Sequence, residues 1–221
     1  HIPIVVGGTG FYIQALLYDI DFTSTAQDDT YRAELENLVK EKGSAYLHNM
    51  LRKVDPKSAE DIHANNVKRV IRALEYYRQT GQKMSEHNEE ERRKESPYEF
   101  VYFVLNAPRE QLYARIDRRV DQMIEEGLVN EVKHLKELGC TKEMVSMQGL
   151  GYKEILAYLD GECDLDTAVY TIKRDTRHFA KRQLTWFRRE RQVTWIRKEV
   201  YDYDEDRILK AMLSHLEGKI C

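Results

Sequence analysis

No apolar run in the 221 residues approaches the roughly 20 that a membrane-spanning helix needs. The opening HIPIVVGGTG also lacks the basic stretch that precedes the apolar part of a secretion signal. Cysteine is scarce: Cys140, Cys163 and Cys221 stand singly, which excludes a disulfide framework and a cysteine-based zinc site. His63, His134 and His178 have no mutual spacing that suggests a metal centre, so no metal ligand is expected among these residues. Internal repeats and low-complexity tracts are missing, as is any G-x-x-x-x-G-K-S/T, which excludes a nucleoside-triphosphate cradle of that type. These absences predict a soluble protein of the reducing cytoplasm.

What is there folds. The chain is 42% hydrophobic with 14 Tyr and 6 Phe, too much for disorder, and its length allows one large domain or two small ones. Charge is unevenly distributed: between Ala168 and Lys198 ten basic residues face only Asp175 and Glu190, a local +8 in a chain of formal charge −3. A basic segment in an otherwise acidic protein predicts a local polyanion site rather than indiscriminate binding.

Three apolar segments read as strands of a parallel sheet: IPIVVGG at the start, FVYFVLNAP from Phe100 to Pro108, and QVTWI near the end. A buried strand at residue 2 would have earlier partners, so a missing N-terminal segment is expected. Helices are expected over TGFYIQALLYDIDF, over three pieces closing at Gly43, at Asp55-Pro56 and at Gly81, over two more ending at Gly127 and Gly139, and after the turn SMQGLGYKE. A long helix capped by Asp164 and reaching about Arg189, and a last one over about 204–217, complete the set. The dense charge of EHNEEERRKESPYE reads as a mobile loop. The fold class is therefore α/β, with core segments 1–26 and 97–221 separated by a helical insertion at 27–96.

The long basic helix is the most informative element. Arg174, Arg177, Lys181 and Arg188 fall on one side with Arg182, Thr185 and Arg189 beside them; Val169, Ile172, Phe179, Gln183 and Phe187 fall on the packing arc. A solvated face would explain such charge, but few acids compensate it and Trp186 lies nearby, a mixture that suits phosphates and unstacked bases. The cluster Gly7-Gly8-Thr9-Gly10, between a strand and a helix, could offer amides and a hydroxyl to a phosphate, or could only turn the chain. Arg115, Arg118 and Arg119 interleave with Asp117 and Asp121; one of these arginines could hold a diphosphate through its planar fork. Lys68, Arg69 and Arg72 form a smaller basic stripe, by default a solvated face, and Gly149, Gly151 and Tyr152 form a loop that could approach a ligand or simply turn.

Five ordered blocks, PIVVGGTGFYIQALL, DPKSAEDIHANNVKRVIRALEYYRQTG, RVDQMIEEGLVNEV, GLGYKE and TRHFAKRQLTWFR, resemble the bacterial tRNA isopentenyltransferase (dimethylallyltransferase) family across residues 2–197. The resemblance implies a P-loop-NTPase-like parallel sheet with a helical insertion. It also implies transfer of dimethylallyl from dimethylallyl diphosphate to the exocyclic amine of the adenosine 3′ of the tRNA anticodon. It places Thr9 and Arg119 in catalysis, with Thr9, Arg115 and Arg119 toward the diphosphate. The anticodon stem-loop contacts fall on Lys181, Arg182, Gln183, Thr185, Trp186 and Arg188, on Gln148, Gly149, Gly151, Tyr152 and Lys153, and on Lys68, Arg69 and Arg72 in the insertion. The family's P-loop and catalytic aspartate have no counterpart in these residues, so magnesium is expected with ligands in the missing N-terminal segment, and residues 1–221 alone are expected to be inactive. A monomer without membrane contact is expected. A P-loop small-molecule kinase relative and a non-catalytic RNA-binding fragment remain as alternatives.

Overall fold

A computed structural model describes residues 2–20 and 29–217, which form two compact units. One comprises residues 2–10 with 100–217, the other residues 11–20 with 29–99. The sequence-based boundary at 26–27 lies outside the described residues.

The helical unit contains α1 (Gly10–Tyr18, from Phe11 onward), α2 (Asp29–Lys42), α3 (Ser44–Val54), α4 (Pro56–Asp61), α5 (Val67–Thr80) and α6 (Met84–Arg93). Its core is Leu35 from α2, Leu47 and Leu51 from α3, Ala59 from α4 and Val70, Ile71, Ala73 and Leu74 from α5. The α3 and α5 residues recur at three- and four-residue spacing, so each helix turns one stripe inward. Fully burying one such leucine is worth about 1.5–3 kcal/mol. Glu75 is buried beside this core because Arg32 grips it with two bonds of 2.8 Å, a bidentate pair that satisfies both carboxylate oxygens.

The charged segment expected as a mobile loop is instead largely α6. Its charges are spaced to pair: Lys83 with Glu86 at 2.7 Å, Arg93 with Glu89 at 3.0 Å, and Lys57 of α4 with Glu89 at 2.7 Å. A second anchor is Asp55, the N-cap of α4, with Pro56 following in the first helical position. Its carboxylate accepts from the Ser58 amide at 3.0 Å and hydroxyl at 2.6 Å, and from the Ser85 amide at 2.9 Å and hydroxyl at 2.6 Å. Burial pushes the Asp55 carboxyl up, but the bonds from Ser58 and Ser85 outweigh it and hold the group below its ordinary value. One aspartate thus starts α4 and clamps the first turn of α6.

The other unit is α/β. Strand β1 (Tyr102–Asn106) and strand β2 (Val193–Arg197) pair in parallel with Tyr102 opposite Val193 and Asn106 opposite Arg197. Between them the chain runs through α7 (Arg109–Glu125), α8 (Leu128–Glu137), a 3-10 turn (Val145–Gln148), α9 (Tyr152–Leu159) and α10 (Leu165–Phe187). A 3-10 turn (Lys198–Tyr201) and α11 (Glu205–Glu217) follow β2. Parallel neighbours need a crossover, and here it is a four-helix excursion. Its core joins Val120, Leu128, Val132, Met147, Ile155, Leu156, Ala168 and Ile172. Phe187 at the end of α10 meets Tyr102 of β1 edge-on with ring centroids 6.4 Å apart, which seats the basic helix against the sheet.

The expected first strand differs. Residues 2–6 form no ladder and are exposed, Val6 at 91%. An extended apolar run becomes a strand only when neighbours take its amides and carbonyls. Among the described residues β1 and β2 pair with each other and not with this segment. No described helix is long and apolar enough to cross a membrane.

Candidate nucleic-acid interface

Helix α10 runs 23 residues, and Asp164 caps it by accepting from the Thr167 amide at 2.7 Å. Its two halves carry different kinds of cation. In the first half Lys173 reaches Asp121 at 2.5 Å and Arg177 reaches Asp117 at 2.5 Å, both on α7, while Arg174 pairs with its neighbour Asp175 at 2.8 Å. The expectation that this face has few compensating acids is therefore wrong for its first half. Beyond Asp175 of α10 itself, the acids come from α7, more than 50 residues earlier in the chain, with the i, i+4 pair on one helix meeting the i, i+4 pair on the other.

In the second half Lys181, Arg182, Arg188 and Arg189 are exposed, and none reaches a carboxylate within 4 Å among the described residues. Phe179, expected on the packing arc, is 41% exposed, and the Arg182 guanidinium lies 5.8 Å from its ring centroid. A cation next to an open aromatic face is what phosphate binding and base stacking require. Thr185 spends its hydroxyl on the Lys181 carbonyl at 2.9 Å.

Gln183 and Trp186 turn the other way. The Gln183 Nε2 donates to the Gly8 carbonyl at 2.8 Å, and a Cβ built on Gly8 would lie 2.5 Å from that nitrogen. A Cβ on Gly10 would collide with the Trp186 indole at Cδ1 and Nε1. Close approach requires glycine at 10, where a Cβ would meet the rigid indole, whereas at 8 a Cβ would displace the Gln183 amide from its bond; neither glycine has a positive φ. Thr9 between them is exposed while Gly10 is buried. Burial pushes the Glu190 carboxyl up, opposed by a hydrogen bond from Trp186. The aromatic expected to stack freely on bases is thus partly committed inside the chain.

Arg115, Arg118 and Arg119 lie exposed on α7. Arg119 pairs with Glu126 at 3.3 Å, with 60% of its side chain open. The 148–153 segment is more constrained than a free loop. Gln148 Nε2 donates to the Lys142 carbonyl at 3.5 Å, and Gly149 is exposed. Gly151 has φ 100 and its amide donates to the buried Glu154 at 2.9 Å, starting α9. Tyr152 hydrogen-bonds Glu131 of α8, and that bond together with burial raises its phenol above its ordinary value. Lys153 lies 3.3 Å from Glu154. In the helical unit Lys68, Arg69 and Arg72 are exposed along the start of α5, with no carboxylate within 4 Å among the described residues. Sequence reasoning missed both the α7 acids and the Gly8–Gln183 bond, which spans 175 residues and has no local signal.

No group of three or more His, Cys, Asp or Glu side chains among the described residues could hold a metal ion. The magnesium implied by the resemblance therefore has no ligand set among the described residues.

The chain is 58% identical over 218 residues to the tRNA dimethylallyltransferase of Lachnoclostridium phytofermentans, covering 99% of this chain and 69% of that protein. It is 52% identical to the enzyme of the same name from Acetivibrio thermocellus, covering 97% of this chain and 68% of that one. The crystal structure of tRNA delta(2)-isopentenylpyrophosphate transferase from Staphylococcus epidermidis superposes with a TM-score of 0.61 at 38% identity, covering 98% of this chain and 69% of that one. That likeness supports the α/β, P-loop-NTPase-like class expected from the sequence. The profile of IPP transferases matches residues 1–190, and the chain belongs to that family.

Proposed function

We propose that this chain acts in transfer of a dimethylallyl group from dimethylallyl diphosphate to the N6 amine of the adenosine 3′ of the anticodon in tRNA. The observation that carries the reading is the division of labour on α10. Lys181, Arg182, Arg188 and Phe179 face solvent without acid partners, while Gln183 and Trp186 of the same turns hold the Gly8-Thr9-Gly10 loop. A polyanion bound along that row lies on the element that holds Thr9.

In the reaction a bond forms between N6 and C1 of the dimethylallyl group, the C1–O bond breaks with its electron pair leaving on diphosphate, and N6 gives its proton to a base, the part the resemblance assigns to the family's catalytic aspartate. An adenine stacked in the loop is not accessible in place and has to be drawn out, which fits an open basic-aromatic surface rather than a closed pocket. Negative charge grows on the leaving diphosphate, and arginine answers it with a planar fork. Arg119 is assigned that role, with Arg115 beside it. Its pair with Glu126 is solvent-exposed, so exchanging it for a diphosphate costs about 1 kcal/mol or less. Thr9, exposed and held from both sides, is assigned to the meeting point of amine and donor.

Lys68, Arg69 and Arg72 of the helical unit, whose sequence-based limits are 27–96, and Gln148, Gly149, Gly151, Tyr152 and Lys153 are assigned as further RNA contacts. In this reading the protein works in the cytoplasm as a monomer, with magnesium supplied through residues other than those described. The test is a paired measurement on the native protein. Labelled dimethylallyl should enter tRNA at the adenosine 3′ of the anticodon, and a gel shift should show tRNA bound. A shift without label incorporation would leave an RNA-binding module.

A further inference from the structure

We propose that Gln183 and Trp186 are positioning residues: by engaging Gly8 and Gly10 they fix Thr9, which lies between the two glycines, relative to the RNA-facing side of α10. The inference rests on the assignment of Thr9 to the transfer site and adds what holds it there.

Gln183 and Trp186 are three residues apart on α10, so they share a face one above the other. Gly8 and Gly10 are two apart and flank one residue. Each glycine meets one of the two side chains so closely that a Cβ would collide with it: 2.5 Å from Gln183 Nε2 at Gly8, and against the indole at Gly10. The Gln183 amide donates to the Gly8 carbonyl at 2.8 Å, a bond only its nitrogen end can make. Residues 2–9 are exposed and lie outside any helix or strand, so these contacts are what ties the loop to α10 among the bonds described. Lys181, Arg182 and Arg188 occupy the same turns on the solvent side. A helix is stiff over two turns, about 11 Å, so an RNA seated on the cations is held in register with Thr9. The family resemblance places Gln183 among the RNA contacts. Its committed amide assigns it to the loop instead.

A displacement of about 1 Å at a reacting group can cost about a hundredfold in rate. In the native protein, Gln183→Ala is therefore expected to lower kcat about ten- to a hundredfold. Its KM for tRNA and the salt dependence of tRNA binding should be unchanged. Gln183→Glu, equal in size but without a donor toward the carbonyl, should reproduce the loss and guards against a packing artefact. Gly8→Ala should also lower kcat, because its Cβ meets the Gln183 amide. The double variant Gly8→Ala/Gln183→Ala should be no worse than the poorer single, since truncation removes the clash. A raised KM for tRNA and a flatter salt dependence in Gln183→Ala, with kcat intact, would make it an RNA contact and overturn the proposal; so would additive losses in the double variant. Thr9→Ala separates the two levels. Full turnover in Thr9→Ala would overturn the transfer-site assignment itself, whereas loss there with wild-type kcat in Gln183→Ala would overturn only the positioning role.

Discussion

The two halves of α10 make opposite predictions for the same type of substitution. Lys181, Arg182 and Arg188 have no acid partner among the described residues, so each is free to displace a counterion from RNA. Each phosphate contact contributes about 0.7 to 0.9 to the log–log salt slope of binding, so Lys181→Ala/Arg182→Ala/Arg188→Ala should flatten it by about 2.1 to 2.7. Between about 50 and 200 mM salt this corresponds to a roughly 20- to 40-fold smaller loss of affinity than in the parent protein. Lys173 and Arg177 carry the same charge but are tied to Asp121 and Asp117 of α7, with side chains only 22% and 23% exposed. Lys173→Ala/Arg177→Ala should leave the slope unchanged and instead loosen α7 from α10, by about 1 kcal/mol per pair or less. Fluorescence anisotropy of an anticodon stem-loop across a salt series, with thermal melting of each variant, measures both. Equal flattening by the two sets of variants, or an unchanged slope in the triple variant, would rule out this division of α10.

Asp55→Asn tests the helical unit: an amide in place of the carboxylate leaves at least one of the Ser58 and Ser85 backbone amides without an acceptor, at a cost of about 1–3 kcal/mol read from denaturant midpoints. The Asp55 carboxyl is held below its ordinary 3.8, so its contribution is complete above that value and is lost as pH falls through the lower native one. Chemical unfolding of the parent protein should lose stability below that pH more steeply than Asp55→Asn does. Arg119→Lys keeps the charge and loses the fork, so turnover should fall while tRNA affinity holds; equal turnover would move the diphosphate to Arg115.

Much of the helical framework was legible because helices announce their ends locally. The stops at Gly43, Gly81, Gly127 and Gly139, the cap at Asp164 and the apolar spacing of α5 and α10 are all short-range signals, and β1 and β2 follow from short apolar runs. The failures share one cause, which is that the deciding interaction was non-local. Residues 2–6 carry strand-forming side chains but gain a strand only from neighbours. The α6 segment reads as a loop from its charge density, and the distant ties that hold it as a helix are Ser85 to Asp55 and Glu89 to Lys57. On α10 the wheel identified the cationic side correctly, but not that α7 neutralises its first half. The resemblance located Thr9 and the KRQLTW run as separate motifs; the bond between Gly8 and Gln183 that unites them was visible only once folded.

In the proposed function the second half of α10 presents tRNA to a dimethylallyl transfer centre at Thr9. The most direct test is transfer of labelled dimethylallyl from its diphosphate to tRNA by the native protein, with the modified nucleoside located by mass after nuclease digestion. One labelled adenosine is expected, 3′ of the anticodon, with label lost in Thr9→Ala while that variant still binds tRNA with the parent salt slope. Label at any other nucleoside, or undiminished label in Thr9→Ala, would contradict it.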